Sequence, residues 1–180
     1  AIIIRPVEEL LPYPQRLTDR LEHWAQQSPD RVFVARRQAP AQAGQPRGDW
    51  ISITYAQMLE RAQSVGQALA QRGLGPDRPL VILSENDLEH LTLAMGAMWV
   101  GVPYAPISTA YSLVSQDYSK LRHILGQLTP GMVFASSAAY AKAIEAVVPR
   151  DVEVVLTQGE IPGRAVTPLH TLLQTQPGEQ

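Results

Sequence analysis

Between Pro79 and Ile107 the chain passes from an apolar run, through a polar corner, into a helical pattern and back to an apolar run. Leu80 to Leu83 is short, continuous and aliphatic, and Ser84, Glu85 and Asn86 break it. From about Asp87 to Val100 the apolar residues Leu88, Leu91, Met95 and Met98 or Trp99 recur at helical spacing, which predicts a helix with one apolar face. Gly101 closes it, and Val102 to Ile107 forms a second strand. A strand–helix–strand unit joins parallel strands, because a connection of that length returns the chain to the end where the first strand began. Parallel strands are covered on both faces, so the unit requires helices above and below a sheet.

The rest of the chain extends the alternation. Thr54-Tyr-Ala-Gln57 has capping-box spacing and precedes a helix with Met58, Ala62, Val65 and Leu69 on one stripe. Gly73 supplies a left-handed end, and Gly75-Pro76-Asp77 turns the chain into the Leu80 strand. A Ser/Tyr-rich loop leads to a helix over Ser119–Leu128 with Leu121, Ile124, Leu125 and Leu128 inward, ended by Pro130-Gly131. Strand Met132–Ala135, a small-residue helix over Ser137–Val147 and strand Val152–Leu156 follow. Thr167 and Pro168 read as N-cap and first residue of a last short helix. Before Thr54, Ile2 to Ile4 reads as an edge strand. Gln15 to Gln27 reads as a helix with Leu17, Leu21 and Trp24 on its inner face. Arg31–Arg37 and Trp50–Thr54 read as strands pairing across the breaker-rich loop Pro40–Asp49. The expected class is α/β, a layered, mainly parallel sheet flanked by helices.

Composition narrows the function classes. A net charge of −2 lacks the basic stripe of a nucleic-acid module. Cysteine is absent, which removes disulfides and thiolate metal sites. No apolar run approaches the length of a membrane span, and Ala1-Ile-Ile-Ile4 is too short for a signal core. A cytoplasmic location is the expectation. The chain opens on Ala1 and ends on the breakers Gln176-Pro-Gly-Glu-Gln180, which reads as a piece of a longer protein.

Motifs that suggest chemistry have plainer readings. Gly73-Leu-Gly75 precedes a strand, and Arg78 stands where a dinucleotide fingerprint needs its third glycine, so it reads as a helix end and turn. Glu85, Asn86 and Asp87 sit where an acidic Mg²⁺ pocket would begin, but no later strand ends in an acceptor Asp. Asn86 is therefore expected to cap the next helix, with Asp87 and Glu89 at its positive end. His23, His90, His123 and His170 are scattered, without metal-ligand spacing. Ser136-Ser137 lacks a nucleophile elbow and reads as a helix cap. Trp99 and Tyr104 read as core rather than as the walls of a ring-binding pocket.

Two segments carry a family resemblance. Trp50-Ile-Ser-Ile-Thr-Tyr-Ala-Gln-Met-Leu59 resembles the first core motif of adenylate-forming enzymes, and Met98-Trp-Val-Gly-Val-Pro-Tyr-Ala-Pro-Ile107 resembles their second. Within that superfamily the text is most similar to feruloyl-CoA synthases, most closely in Leu17–Trp24, Val102–Ser108, Tyr111–Ser115 and Lys120–Ile124. The resemblance implies an enzyme that activates a hydroxycinnamate-type carboxylate with ATP and Mg²⁺ and passes the acyl group to CoA. The phosphate-gripping loop, adenine segment, ribose-binding Asp, hinge and catalytic Lys of such enzymes have no counterpart here, so no catalytic, cofactor-binding or metal residue is transferred. Lys120 and Lys142 are the only lysines; in some relatives a basic residue near the helix after the Phe134-Ala135 strand touches CoA phosphates, a part for which Lys142 is the candidate, but Lys142 reads better as a solvated helix face.

The expectation is an N-terminal subdomain of the adenylate-forming fold: helix and hairpin over 1–53, parallel core over 54–157, linker and short helix over 158–180. By itself it would be inactive and bind none of ATP, Mg²⁺ or CoA. Its partners would be the remainder of the parent chain and, in the whole enzyme, an aromatic carboxylate; neither nucleic acid nor membrane is expected. Exposed apolar surface would favour self-association. The rivals are a stand-alone α/β binding module and an amino-acid adenylation domain fragment.

Overall fold

The Leu80 run and the strands that follow it build one wholly parallel sheet in the computed structural model, which describes residues 2–3, 5–8, 11–40, 44 and 46–178. Regular structure begins with helix α1 (Thr18–Gln27) and the antiparallel pair β1 (Val32–Arg37) and β2 (Trp50–Thr54). Helix α2 (Tyr55–Gln71), strand β3 (Leu80–Ile82), helix α3 (Leu88–Trp99) and strand β4 (Tyr104–Pro106) follow. Then come α4 (Ala110–Leu113), α5 (Ser119–Leu128), β5 (Met132–Ala135), a tight 3-10 turn (Ala138–Tyr140) and α6 (Ala141–Val147). Strands β6 (Glu153–Leu156) and β7 (Thr167–Pro168) and helix α7 (Leu169–Leu173) complete the fold. The sheet order is β4-β3-β5-β6-β7, with Leu80 opposite Tyr104 on one side and Met132 on the other.

Because side chains alternate along a strand, β3 feeds two cores. Leu80 and Ile82 pack with Phe134 and Val155 under α2, α3 and α7, where Val65, Leu69, Leu93 and Leu172 meet them. Val81 and Leu83 pack with Val133 and Val154 under α5 and α6, against Leu121, Leu125 and Ile144. A third cluster lies outside the first, where Leu21, Ile53, Met58, Ala62, Leu88 and Met95 join α1 and the hairpin to α2 and α3. This third layer explains why α3 is buried on nearly every side rather than on one face.

Local chemistry accounts for the element ends. The Thr54 hydroxyl accepts the Gln57 N–H at 3.3 Å, and the Gln57 side chain accepts the Thr54 N–H at 2.9 Å, a closed capping box. At the other end of α2, the Gly73 N–H donates to Ala70 O and the Leu74 N–H to Leu69 O. That is a Schellman close, with Gly73 at φ +64° where a side chain would be strained.

The structure corrects several expectations. Helix α1 starts at Thr18 and buries Thr18, Leu21 and Ala25, while Leu17 is 78% exposed and Trp24 39%. Trp24 instead packs its ring near Tyr55, which in turn meets Phe33 edge-on, so the aromatic seam sets the helix's rotation. Asp87 rather than Asn86 caps α3. The Ser/Tyr-rich loop contains the short helix α4. Helix α5 keeps its expected span, but Thr129, in the left-handed conformation, closes it ahead of Pro130. Thr167 and Pro168 form an edge strand, with Pro168 at the N-cap position of α7. Ile2 and Ile3 are exposed and outside any strand, while Ile4 lies outside the described residues, as do parts of the Pro40–Asp49 loop and residues 179–180.

Candidate functional site

The order of the sheet places a crevice. From β3 the chain moves outward to β4, then returns past β3 to β5, so the direction of winding reverses between β3 and β5. Helix α3 leaves β3 on one face, and α6 follows β5 on the other. Where connections diverge at the carboxyl ends of parallel strands, a cleft opens and loop residues line it. Here the cleft measures about 430 Å³ and is walled by Glu85, Asn86, Asp87, Ser136, Tyr140 and Thr157, with Arg36 and Glu89 at its rim. A neighbouring hollow of about 490 Å³ continues past Ser84 and His90 to Ser108.

Several of the polar residues here owe their place to a strand end. Ser84 follows β3, Ser136 follows β5 and Thr157 follows β6: a polar residue comes directly after a buried run each time. The Asp87 carboxylate accepts the His90 N–H at 2.6 Å, closing the first turn of α3. Burial pushes the Asp87 carboxyl above its usual range and Glu89 adds to this, against the opposing pull of the His90 bond and of Arg36. Burial likewise raises the Tyr140 hydroxyl, aided by the carboxylate of Glu85. Arg36 reaches from β1 to Glu89 on α3 at 3.4 Å. The Ser84 hydroxyl donates to Glu85 O at 3.2 Å, and Ser137 caps the turn at Ala139 at 3.3 Å.

These polar groups are engaged with the fold rather than poised for transfer chemistry. Asp87 holds a helix start, Glu89 holds Arg36, and the His90 ring lies 3.1 Å from the backbone oxygen of Glu85. No group of three His, Asp or Glu among the described residues could hold a metal ion. The cleft can bind; among the described residues it contains no nucleophile paired with a base. A larger hollow of about 540 Å³ lies at the opposite, amino edge of the sheet, beside Arg78, Arg122, Gly131 and Asp151. Carboxyl-edge loops, not that edge, converge on the switch of winding, so the cleft is the better candidate.

The structure disperses most of the remaining residues singled out in the sequence. His23, His123 and His170 are exposed on separate helices. Trp99 is 6% exposed, its Nε1 has no partner among the described residues, and the Arg16 guanidinium lies 5.6 Å from its ring centre. Tyr104 is half-buried and faces a hollow shared with Asn86 and His90. Lys142 is exposed on α6, and Lys120 lies over the Tyr111 ring at 5.3 Å. Gly73 and Gly75 serve the helix end and the turn to Arg78. Arg36, Tyr140 and Thr157 escaped the sequence reading. Thr157 had a signal, the polar residue ending an apolar run; Arg36 and Tyr140 arrive by packing alone. Among the described residues no helix is long and apolar enough to cross a membrane.

Comparison with known proteins points in one direction. The family profile described as "AMP-binding enzyme" matches residues 21–175. A luciferin 4-monooxygenase of Nipponoluciola cruciata is 29% identical over 134 residues, covering 72% of this chain and 24% of that protein. Bacitracin synthase 1 of Bacillus licheniformis is 40% identical over 60 residues, 33% of this chain and 1% of that protein. In three dimensions the chain resembles a putative long-chain-fatty-acid CoA ligase from Rhodopseudomonas palustris, with a TM-score of 0.68 and 21% identity over 91% of this chain and 37% of that one. The parallel sheet flanked by helices thus matches the N-terminal part of such folds, and the chain spans about a quarter of the length of the luciferin monooxygenase.

Proposed function

The chain belongs to the AMP-binding enzyme family, and we propose that it is the N-terminal part of an acid–CoA ligase that activates ferulate, a hydroxycinnamate-type carboxylate, with ATP and passes the acyl group to CoA. The observation that carries the family reading is the profile match across residues 21–175. The choice of ferulate rests on the resemblance of Leu17–Trp24, Val102–Ser108, Tyr111–Ser115 and Lys120–Ile124 to feruloyl-CoA synthases. In this reading residues 1–53 supply its helix and hairpin, 54–157 its parallel core, and 158–180 a linker and short helix, of which β7 adds the last strand of the sheet and α7 packs against the core. A cytoplasmic location goes with this reading.

The work of this part is support. Nucleotidyl transfer needs preorganised amides and cations around phosphate, and the cleft between β3 and β5 instead presents Glu85, Asp87 and Glu89. Those carboxylates do not fit a Mg²⁺ site either, since Asp87 is engaged as a cap and Glu89 by Arg36. The groups that grip ATP, the acid and CoA therefore belong to other parts of the parent enzyme. Exposed Leu11, Leu17, Val114 and Trp50 favour self-association of the isolated chain.

ATP–pyrophosphate exchange tests the reading. The whole parent enzyme is expected to exchange with ferulate, and the 180-residue chain is expected not to. Exchange by the 180-residue chain sinks the supporting role. A parent enzyme that exchanges with amino acids and not with ferulate replaces this reading with an amino-acid adenylation domain, which the identity to bacitracin synthase 1 favours as the second choice.

A further inference from the structure

The hollow of about 540 Å³ at the amino edge of the sheet has the size of a small-molecule site, about 300–1,000 Å³. Strands β3, β5 and β6 begin beside it, and helices α5 and α6 end beside it. Leu125, Val147 and Val152, with Pro130 and Pro149, give it apolar surface. Four charged side chains also line it: Asp77, Arg78, Arg122 and Asp151. None of them pairs with another, since the ion pairs among the described residues lie elsewhere. Arg122 commits only Nη1, to Ala146 O at 3.0 Å. Arg78 lies over Gly131, where an added Cβ would meet its Nε at 3.2 Å, and among the described residues it bonds only through its backbone. The Thr129 hydroxyl is taken by Asp77 O at 3.4 Å. Arg164, near Asp151, is committed to the backbone of the wall, with Nη1 donating to Val148 O at 2.8 Å and Nη2 to Pro149 O at 2.6 Å and Val152 O at 3.0 Å. Those bonds hold the wall in place and leave the Asp151 carboxylate unmatched. Gly126 keeps the hollow open. It sits in the last turn of α5, outside the left-handed region, and a Cβ there would meet no atom within 4 Å. Neither backbone nor packing requires glycine here, although glycine is a poorer helix former than alanine.

We propose that this hollow binds a small zwitterion with an apolar body, of the class of a short apolar peptide. Its carboxylate is taken by the free donors of Arg78 and Arg122, its ammonium by Asp77 and Asp151, and its aliphatic side chains by the apolar surface around Leu125, Val147 and Val152. The charge balance selects this class. A plain anion would meet two carboxylates and a plain cation two guanidinium groups, whereas a zwitterion answers both pairs. The carbonyl ends of α5 and α6 add to the attraction for the ammonium. The site stands whether or not the parent enzyme activates ferulate, because it lies at the edge of the sheet opposite the cleft.

Calorimetric titration of the full parent protein with leucyl-leucine tests the site. The dipeptide should bind, and N-acetyl-leucyl-leucine and leucyl-leucine amide, each lacking one of its charges, should bind about tenfold or more weakly. Gly126→Leu should fill the hollow and abolish binding, while Gly126→Ala should raise the thermal midpoint of the free protein. Asp151→Asn should weaken leucyl-leucine without weakening N-acetyl-leucyl-leucine, so the preference between them narrows. A merely structural loss would weaken both alike, and this comparison decides the matter if Gly126→Leu does not fold. No binding of leucyl-leucine overturns the proposal, as do equal affinities for the three probes and binding that survives Gly126→Leu. Tighter binding of N-acetyl-leucyl-leucine overturns it in favour of a plain anion site. A lower midpoint in Gly126→Ala also overturns it, because the fold itself would then need the glycine.

Discussion

The side chain of Val65 fills the space that a Cβ on Gly96 would need. Helices α2 and α3 cross at this point, and an added methyl at Gly96 would also meet Val65 Cβ at 2.6 Å and the Gly66 nitrogen at 3.1 Å. Gly66 faces the same crossing from the other helix, with Gly96 O 3.0 Å from the position of its own missing Cβ. The closest helix–helix approach in this layer thus depends on two absent side chains.

Gly96→Ala should therefore be overpacked, losing about 1–3 kcal/mol in urea unfolding. Val65→Gly removes both the branch and the Cβ that the methyl would strike, so the double variant should be more stable than the sum of the two single losses predicts, with a coupling of about 0.5–3 kcal/mol, whereas Val65→Ala keeps the Cβ and should relieve only part of the clash. Additive losses would mean that Val65 is not what the methyl strikes.

Asp87 carries a pH dependence. Its folded pKa is raised, chiefly by burial, so the folded state holds more proton than the unfolded state between the ordinary carboxylate value and the raised one. Stability contributed by this group is present in acid and falls as pH rises through that window. Asp87→Asn keeps an oxygen for the His90 N–H and removes the charge, so its stability relative to wild type should rise from acid to neutral pH. Asp87→Ala loses the cap and should be less stable by about 0.5–2 kcal/mol. Urea midpoints at a series of pH values read both effects.

Glu153 joins three elements. Its carboxylate accepts Arg72 Nε at 2.9 Å from the end of α2 and the Thr167 hydroxyl at 2.7 Å from β7. Arg72 and Glu153 side chains are 25% and 30% exposed, so the pair is shielded better than a surface bridge. Glu153→Ala should cost about 1.5–3 kcal/mol, and Thr167→Val about 0.5–1.5 kcal/mol. Limited proteolysis should then cut first between β6 and β7, since the edge strand loses its anchor.

Gly73→Ala places a Cβ at φ +64° and should cost about 1–2 kcal/mol, read as a lower thermal midpoint with unchanged helix content. A loss near zero would mean that α2 can end without the Schellman turn.

The class, the succession of elements and several of their ends were legible in the residues. Helix α5 and strand β5 lie where periodicity puts them, and the Thr54 box and Gly73 close α2 as their chemistry demands. These features depend on bonds within one turn or on burial of one continuous run, so neighbouring residues suffice to specify them. The order β4-β3-β5-β6-β7 came only with the packed fold, and with it the cleft that brings Glu85, Tyr140 and Thr157 together from distant parts of the chain. Packing also turned α1 so that Trp24 lies against Tyr55, buried α3 on nearly all sides, and gave the cap to Asp87 instead of Asn86. Both residues can cap, and both faces of α1 carry apolar groups. Their intrinsic preferences differ by less than the free energy of packing, so the layers laid against them make the choice.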